Sequence, residues 1–362
     1  MRWSFSIGRL FGIRVEVHVT FLLMVAGLAI FGAEDARDAV RFAFAMLLVF
    51  ACVLLHELGH ALAARRYGIA TREIVLLPIG GVARLERMPE KPQQEVVVAI
   101  AGPLVNVMIA TLLGLILYGQ HGDARVLLDR AAQGHTLEYL LFANLAMIAF
   151  NLIPAFPMDG GRVLRASLAM FMPFTRATRI ASLVGQGFAL LFAFLGVFVF
   201  KSVILVFIAL FVFLAAGEER AVVQTRSNLN GLLVRDAMIT SFVSLETRHD
   251  LQHAVDLMLA LDQQDFPVLE DGRLIGILQR ADLIKGLSRE GPGAPVGRLV
   301  RLDVEAVEMS APLQGALQQM QAQRLTSLPV TLKGELLGML TLENVGELLQ
   351  VQEARQRHAG TG

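Results

Sequence analysis

Residues 56–60 read His-Glu-Leu-Gly-His. On a helix, positions i and i+4 share one face, so the imidazoles of His56 and His60 can reach one metal ion. Glu57 stands beside the first of them, placed to take a proton from a metal-bound water. The chemistry this spacing suits is metal-assisted hydrolysis. The surroundings are unusual for it, because the stretch FACVLLHELGHALAARR, residues 50–66, otherwise reads as a membrane span. Ionisable groups in such a setting are expensive and mark function by default.

A catalytic zinc site commonly uses three protein ligands and keeps one position open for water. Cys52, the single cysteine, does not complete the set. Residues 52, 56 and 60 extend over about 12 Å of helix axis, too far to converge on one ion. A second segment, NLAMIAFNLIPAFPMDGGR at 144–162, offers a carboxylate. Pro154 and Pro157 break its helix near the membrane, which is tolerated only where the freed backbone faces protein or a wet cavity. Asp159 then becomes a hard oxygen ligand beside two imidazoles. From the residues alone, an Asp capping a turn before a new helix near Arg162 stays an equal reading.

The elements that would position these groups follow from composition. The chain has 362 residues, 55% hydrophobic and 18% charged, with no net charge. Its mean hydropathy is +0.57, which points to membrane spans. Neutral charge gives no indication of a nucleic-acid partner. The opening MRWSFSIGRLFGIRVEVHVT lacks a small-residue cleavage site after an apolar core, so no removable signal peptide is expected.

Six apolar runs, 17–33, 42–64, 95–118, 137–156, 179–200 and 202–216, approach the length of a spanning helix. Only Lys201-Ser202 separates the last two. With the N-terminus in the cytosol, thirteen Lys and Arg flank the inner side: Arg2, Arg9, Arg14, six within 65–91 and four within 162–179. Five face outward, namely Arg37, Arg41, Arg125, Arg130 and Lys201. The positive-inside rule favours this orientation and leaves the C-terminal part cytosolic.

Taken together, HELGH, NLIPAFPMDGGR, LLPIGGVARL at 76–85 and AGPLVN at 101–106 resemble the site-2 protease family of intramembrane zinc metalloproteases. The resemblance covers about residues 4–220. It implies Zn2+ held by His56, His60 and Asp159, with Glu57 as general base and acid. It also implies that Asn151, eight residues before the aspartate, holds the substrate backbone; an interhelical hydrogen bond is the equal alternative. Asn106 is read as a packing residue at a kink. The implied substrates are membrane-bound anti-sigma factors or other single-span regulators, cut inside the inner or plasma membrane among its lipids.

Such a site must admit water. HELGH lies at the Arg65-Arg66 end of its span, so the cavity is expected to open towards the cytosol. A substrate helix must also unwind, and pairing with an edge strand would offset its lost hydrogen bonds. The stretches Arg14–Val17 and Glu73–Leu77 are the candidates for a small membrane-associated sheet, with Pro78, Gly80 and Gly81 forming a bend.

Beyond Ala216 the composition becomes charged and ordinary. Residues 229–352 repeat with a period of 62: Phe266-Pro267-Val268 aligns with Leu328-Pro329-Val330, and Leu274–Leu278 with Leu336–Leu340. Each copy reads as strand, amphipathic helix, two short strands, helix. The repeat looks like a tandem of CBS domains, which implies clefts for ATP or AMP. The motif there is Gly, a hydroxyl residue three on and Asp six on. The first copy has Gly276, Gln279 and Asp282; the second has Gly338, Thr341 and Asn344. Each is incomplete, leaving Asp282 and Thr341 as the nucleotide candidates. A sensor and a purely structural homodimerisation module stay equal alternatives.

The expected architecture is therefore an α-helical polytopic membrane domain of about six spans with a small sheet, plus an α/β cytosolic CBS pair. Its parts are a protease domain at 1–216, a linker at 217–230, CBS domains at 231–290 and 291–352, and a disordered tail at 353–362. Channels and transporters also join membrane domains to CBS pairs. That reading accounts for the architecture but not for H-E-x-x-H with Asp-Gly-Gly.

Overall fold

The computed structural model describes residues 3–359 apart from 32–34, 79, 87–88, 90, 122–123, 133–134 and 262. It divides into two units, Met1–Val223 and Gln224–Gly362. Arg2 and Arg87, both counted as flanking charges, lie outside the described residues.

The first unit opens with β1 (Ser4–Leu10), β2 (Ile13–His18), α1 (Val19–Phe31) and α2 (Ala36–Arg65), then β3 (Thr71–Leu77) and β4 (Gly80–Leu85). Next come α3 (Pro92–His121), α4 (Ala124–Ala132), α5 (Thr136–Asn151), α6 (Asp159–Ala169) and α7 (Phe174–Phe194). A π-helical turn, Leu195–Val199, ends the α7 rod, and α8 (Val203–Leu229) follows. Lys201 adopts a left-handed backbone with φ 47°, which breaks the chain between the last two apolar runs.

Three helical stretches, Ala36–Arg65, Pro92–Gln120 and Phe174–Val199, are long and apolar enough to cross a membrane. Only 17–39% of their most apolar windows is buried. Helices this apolar and this exposed need a lipid-like solvent rather than water. The stretches Val19–Leu28 and Thr136–Asn151 are apolar but shorter, and α8 turns charged at Glu218. Among the described residues, three helices are membrane-capable by length and composition, and the count of about six rests on the apolar runs alone.

The four strands form one sheet in the order β1-β2-β3-β4, with β2 and β3 parallel. The two stretches singled out by alternation are its central strands, Arg14 pairing with Glu73 and Val17 with Leu76. The bend expected at Gly80-Gly81 is instead the start of β4. The sheet packs on α2 through Ile13, Ile74, Leu58 and Ala61, and through Val17, Leu76, Phe21 and Phe50. These two clusters bracket the HELGH turn and fix the sheet against it.

The second unit contains β5 (Leu245–Glu246), α9 (Leu251–Ala260), β6 (Phe266–Glu270), β7 (Arg273–Leu278) and α10 (Arg280–Glu290). The pattern recurs as β8 (Val307–Glu308), α11 (Leu313–Gln323), β9 (Ser327–Leu332), β10 (Glu335–Thr341) and α12 (Leu342–Ala359). Each copy makes a three-stranded sheet, β5-β6-β7 and β8-β9-β10. The 62-residue symmetry extends to single pairings: Phe266 faces Leu278 as Leu328 faces Leu340. Helix runs through the segment read from sequence as a linker and into the segment read as a disordered tail. Segment 217–230 is helical to Leu229, and α12 continues to Ala359, because both are rich in Glu, Gln, Arg and Ala, which favour helix.

Candidate metal centre

α2 presents His56 and His60, both buried, on the face that meets α3. Two glycines make that contact possible. A Cβ on Gly59 would sit 2.7 Å from the Ala101 carbonyl oxygen, and one on Gly102 would run into both imidazoles. The motif AGPLVN is thus the surface on which the histidines rest.

Asp159 begins α6 and is buried. The Gly pair behind it lets the chain fold tightly, since a Cβ on Gly160 would strike the Leu152 and Ile153 carbonyls. On Gly161 it would strike the backbone of Ala155. The turn carries the carboxylate onto the α2 histidines, which stand 103 and 99 residues earlier in sequence.

The three groups close a triangle. His60 Nε2 lies 3.1 Å from His56 Nε2. Asp159 Oδ2 lies 3.3 Å from His56 Nε2 and 3.2 Å from His60 Nε2. Ligand atoms about 2.0–2.1 Å from a tetrahedral zinc stand about 3.3 Å from one another. Among the described residues this is the one His/Cys/Asp/Glu group able to hold a metal, and Cys52 is not in it.

The protonation pattern agrees with a cation. His60 Nδ1 faces the Val98 carbonyl at 2.7 Å, so that nitrogen carries the proton and donates it. His56 Nδ1 faces Asn106 Oδ1 at 2.5 Å. The direction of that amide is fixed from outside: Asn144 Nδ2 donates to the Leu140 carbonyl, and Asn106 Nδ2 donates to Asn144 Oδ1, each at 2.8 Å. Both Nε2 atoms of the neutral rings therefore point lone pairs inward. Asp159 Oδ2, also buried, has no hydrogen-bond partner among the described residues. Three lone pairs converging in a buried site repel one another unless a cation lies between them.

Glu57 is half-buried beside this group, and its Oε2 accepts from the Ala83 N–H at 3.2 Å. β4 lies so close that a Cβ on Gly81 would be 2.5 Å from Glu57 Cγ. β4 is an edge strand, and Ala83 turns its N–H away from β3 towards the glutamate. Asn151, the last residue of α5, is half-buried and its side chain makes no hydrogen bond among the described residues. The interhelical amide bond weighed for Asn151 is made by Asn144 instead. Asn106, read from sequence as packing, is the acceptor for His56. The available signal was the pair of lone amides, Asn106 and Asn144, in two apolar helices.

In the second unit, Thr341 lines a cleft and Asp282 is not among its lining residues. They belong to different copies of the repeat: at the 62-residue period Asp282 corresponds to Asn344 and Thr341 to Gln279.

The site defines a metal-dependent hydrolase built into apolar helices, and comparison with known proteins gives the family. Peptidase family M50 matches residues 44–128 and 124–194, and the CBS domain matches 234–289 and 296–349. A zinc metalloprotease of Methanocaldococcus jannaschii is 34% identical over 279 residues, covering 77% of this chain and 78% of that one. Stage IV sporulation protein FB of Bacillus subtilis is 30% identical over 206 residues, 57% of this chain and 65% of its own length. Among solved structures, the site-2 protease from Methanocaldococcus jannaschii is 36% identical, covers 60% of this chain and 95% of its own, and gives a TM-score of 0.43. The chain belongs to peptidase family M50: it is a zinc metalloprotease of the membrane-embedded site-2 protease type, with a tandem of CBS domains.

Proposed function

We propose that the protein cuts a peptide bond within the transmembrane segment of a membrane protein, a single-span regulator such as a membrane-bound anti-sigma factor. His56, His60 and Asp159 hold the zinc, and Glu57 moves the proton. The observation that carries this reading is the triangle of inward lone pairs, with edges of 3.1–3.3 Å, beside a carboxylate held by a backbone amide. When bound, zinc polarises the scissile carbonyl and acidifies a water. Glu57 takes that water's proton and returns it to the leaving amine. The Ala83 N–H holds one carboxylate oxygen, leaving the other to face the reacting groups.

The edge strand proposed for substrate pairing is β4. β2 and β3 have neighbours on both sides, whereas among the described residues β4 is an edge strand, with its Ala83 N–H held by Glu57. An unwound substrate segment laid along β4 would regain backbone hydrogen bonds at the catalytic glutamate. The unpartnered amide of Asn151 is the second hold on its backbone. On the far edge, Trp3, Phe5, Ile7 and Phe11 are 59–67% exposed, which suits a sheet lying against lipid.

The orientation is the one the flanking charges favour, with the N-terminus and CBS pair cytosolic and water reaching the zinc from that side. Arg165 leaves the count of flanking charges, since it is buried and paired with Glu95 and Glu219. The CBS pair acts as the regulatory module, through Asp282 and Thr341 where an adenine compound binds, and as a contact for homodimers.

Membrane proteomics on cells carrying the native chain or Glu57→Gln tests this reading. The variant is expected to retain about one zinc per chain and to leave the substrate span uncut. His56→Ala and Asp159→Ala are expected to lose both metal and cleavage. Normal zinc content and normal cleavage in Asp159→Ala would overturn the ligand set, and cuts on the extracytoplasmic half of the span would overturn the orientation.

A further inference from the structure

The second unit holds a cleft of about 330 Å³, within the range of small-molecule sites. Ile239, Met339 and Leu342 give it apolar walls, and Thr341 and Asn344 sit at its rim. Its charged lining is entirely acidic: Asp265, Glu343 and Glu347. Glu343 and Glu347 are exposed, one helical turn apart on α12, and neither has an ion-pair partner among the described residues. Arg280, which is not in the lining, donates to the lining residue Gln264 at 3.3 Å.

The donors that would greet a phosphate are already engaged. Thr341 Oγ1 accepts from the Asn344 N–H at 3.1 Å and donates to Asn344 Oδ1 at 2.5 Å. The Leu342 N–H donates to the Thr326 carbonyl at 3.1 Å. Asn344, standing where the motif has Asp, thus closes the threonine hydroxyl on itself. Asp265 is similarly occupied, accepting from Thr326, Ser327 and the Arg280 N–H.

The 62-residue symmetry sharpens the contrast. The Ile239–Met339 bridge has its counterpart in the Ile277–Arg301 bridge. In the other copy the positions of Ile239, Leu342, Glu343 and Glu347 are held by Arg301, Arg280, Ala281 and Lys285. There Arg301 donates to Gln279 Oε1 at 3.0 Å, and Gln279 Nε2 donates to Thr326 at 2.9 Å. Basic residues and their partners stand where the open cleft has apolar walls and free carboxylates.

We propose that the Thr341 cleft binds a neutral or positively charged nucleoside-sized ligand and rejects phosphorylated nucleotides. This deepens the reading of the CBS pair as a regulatory module and rests on it. The base would lie between Ile239 and Met339, and a cationic group would face Glu343 and Glu347.

The test uses the full-length Glu57→Gln chain in detergent, so that binding is read without cleavage and a failed protease assay leaves it interpretable. Calorimetric titrations compare S-adenosylmethionine, adenosine, AMP and ATP at low and high salt. S-adenosylmethionine and adenosine are expected to bind, the former weakening as salt rises, with AMP about tenfold or more weaker and ATP weaker still. Adding Glu343→Lys and Glu347→Lys, both at exposed positions, should weaken S-adenosylmethionine about tenfold, strengthen AMP, and leave adenosine nearly unchanged. AMP or ATP binding as tightly as adenosine would overturn the proposal. So would indifference to the charge reversal, or the absence of binding by all four probes at millimolar concentration.

Discussion

Replacing Asn106 by Leu removes the acceptor that keeps the proton of His56 on Nδ1. The ring can then place its proton on Nε2, the atom that faces Asp159 and His60, where it blocks a ligand position. Loss of such an outer partner lowers metal affinity or activity about 10–100-fold, equivalent to about 1.4–2.7 kcal/mol. A second effect must be separated from it. Asn144 Oδ1, buried and bonded to Asn106 at 2.8 Å, is left without its donor, costing about 1–3 kcal/mol of stability. Asn106→Leu combined with Asn144→Leu removes that orphan and should recover most of the lost thermal stability. It should not recover the zinc. Competition against a chromophoric chelator measures the affinity, and cleavage of a reporter transmembrane substrate measures activity on the metal-saturated enzyme. If both variants hold zinc within about twofold of the native chain and cut normally, Asn106 is packing after all and the tautomer argument falls.

Gly102→Ala places a methyl group against both imidazoles, so zinc binding should be lost in a chain that still inserts and folds; retained zinc would show that α2 and α3 can separate at no consequence. Ala83→Pro removes the N–H that holds Glu57 on an edge strand, where proline is tolerated. Cleavage should fall about tenfold or more at unchanged zinc content, and an unchanged rate would free Glu57 from β4. Arg165→Met leaves Glu95 buried without its cation and should lower stability by about 3–5 kcal/mol. Glu95→Gln added to it should restore part of the loss in thermal melts, and additive damage would refute the pairing.

What could be read from the sequence was the local part of the site. The i, i+4 histidines carry their geometry with them, because one helical turn fixes their separation. Asp159 needed the family resemblance, since no periodicity says which turn folds back onto α2. The role of Asn106 was out of reach for the same reason: its partners, His56 and Asn144, lie 50 and 38 residues away. Strand alternation found β2 and β3, which pair with each other in the sheet. β4 was missed because Gly80-Gly81 looks like a turn, whereas Gly81 is bare so that the strand can rest on Glu57. In the tail the repeat period was enough, as each copy is a self-contained pattern of short elements.

Arg165 shows why a charge count alone misleads in such a chain. It sits on α6, less than two turns after Asp159, and it is almost wholly buried. Glu95 of α3 and Glu219 of α8 bind its guanidinium, and the ring centroids of Phe156 and Phe174 each lie 5.0 Å from it. Such a cation is stable there only while all of these partners stay in place. The helix that carries Asp159 is therefore held by α3, which supports the histidines, and by α8. Ser182 adds a second tie, donating from α7 to the Ala216 carbonyl of α8 at 2.5 Å. A displacement of α8 near Glu219 cannot leave Arg165 satisfied unless α6 follows it. The carboxylate of Asp159 is thus set by the same network that fixes the end of the last apolar helix, and its distance to the two histidines depends on both.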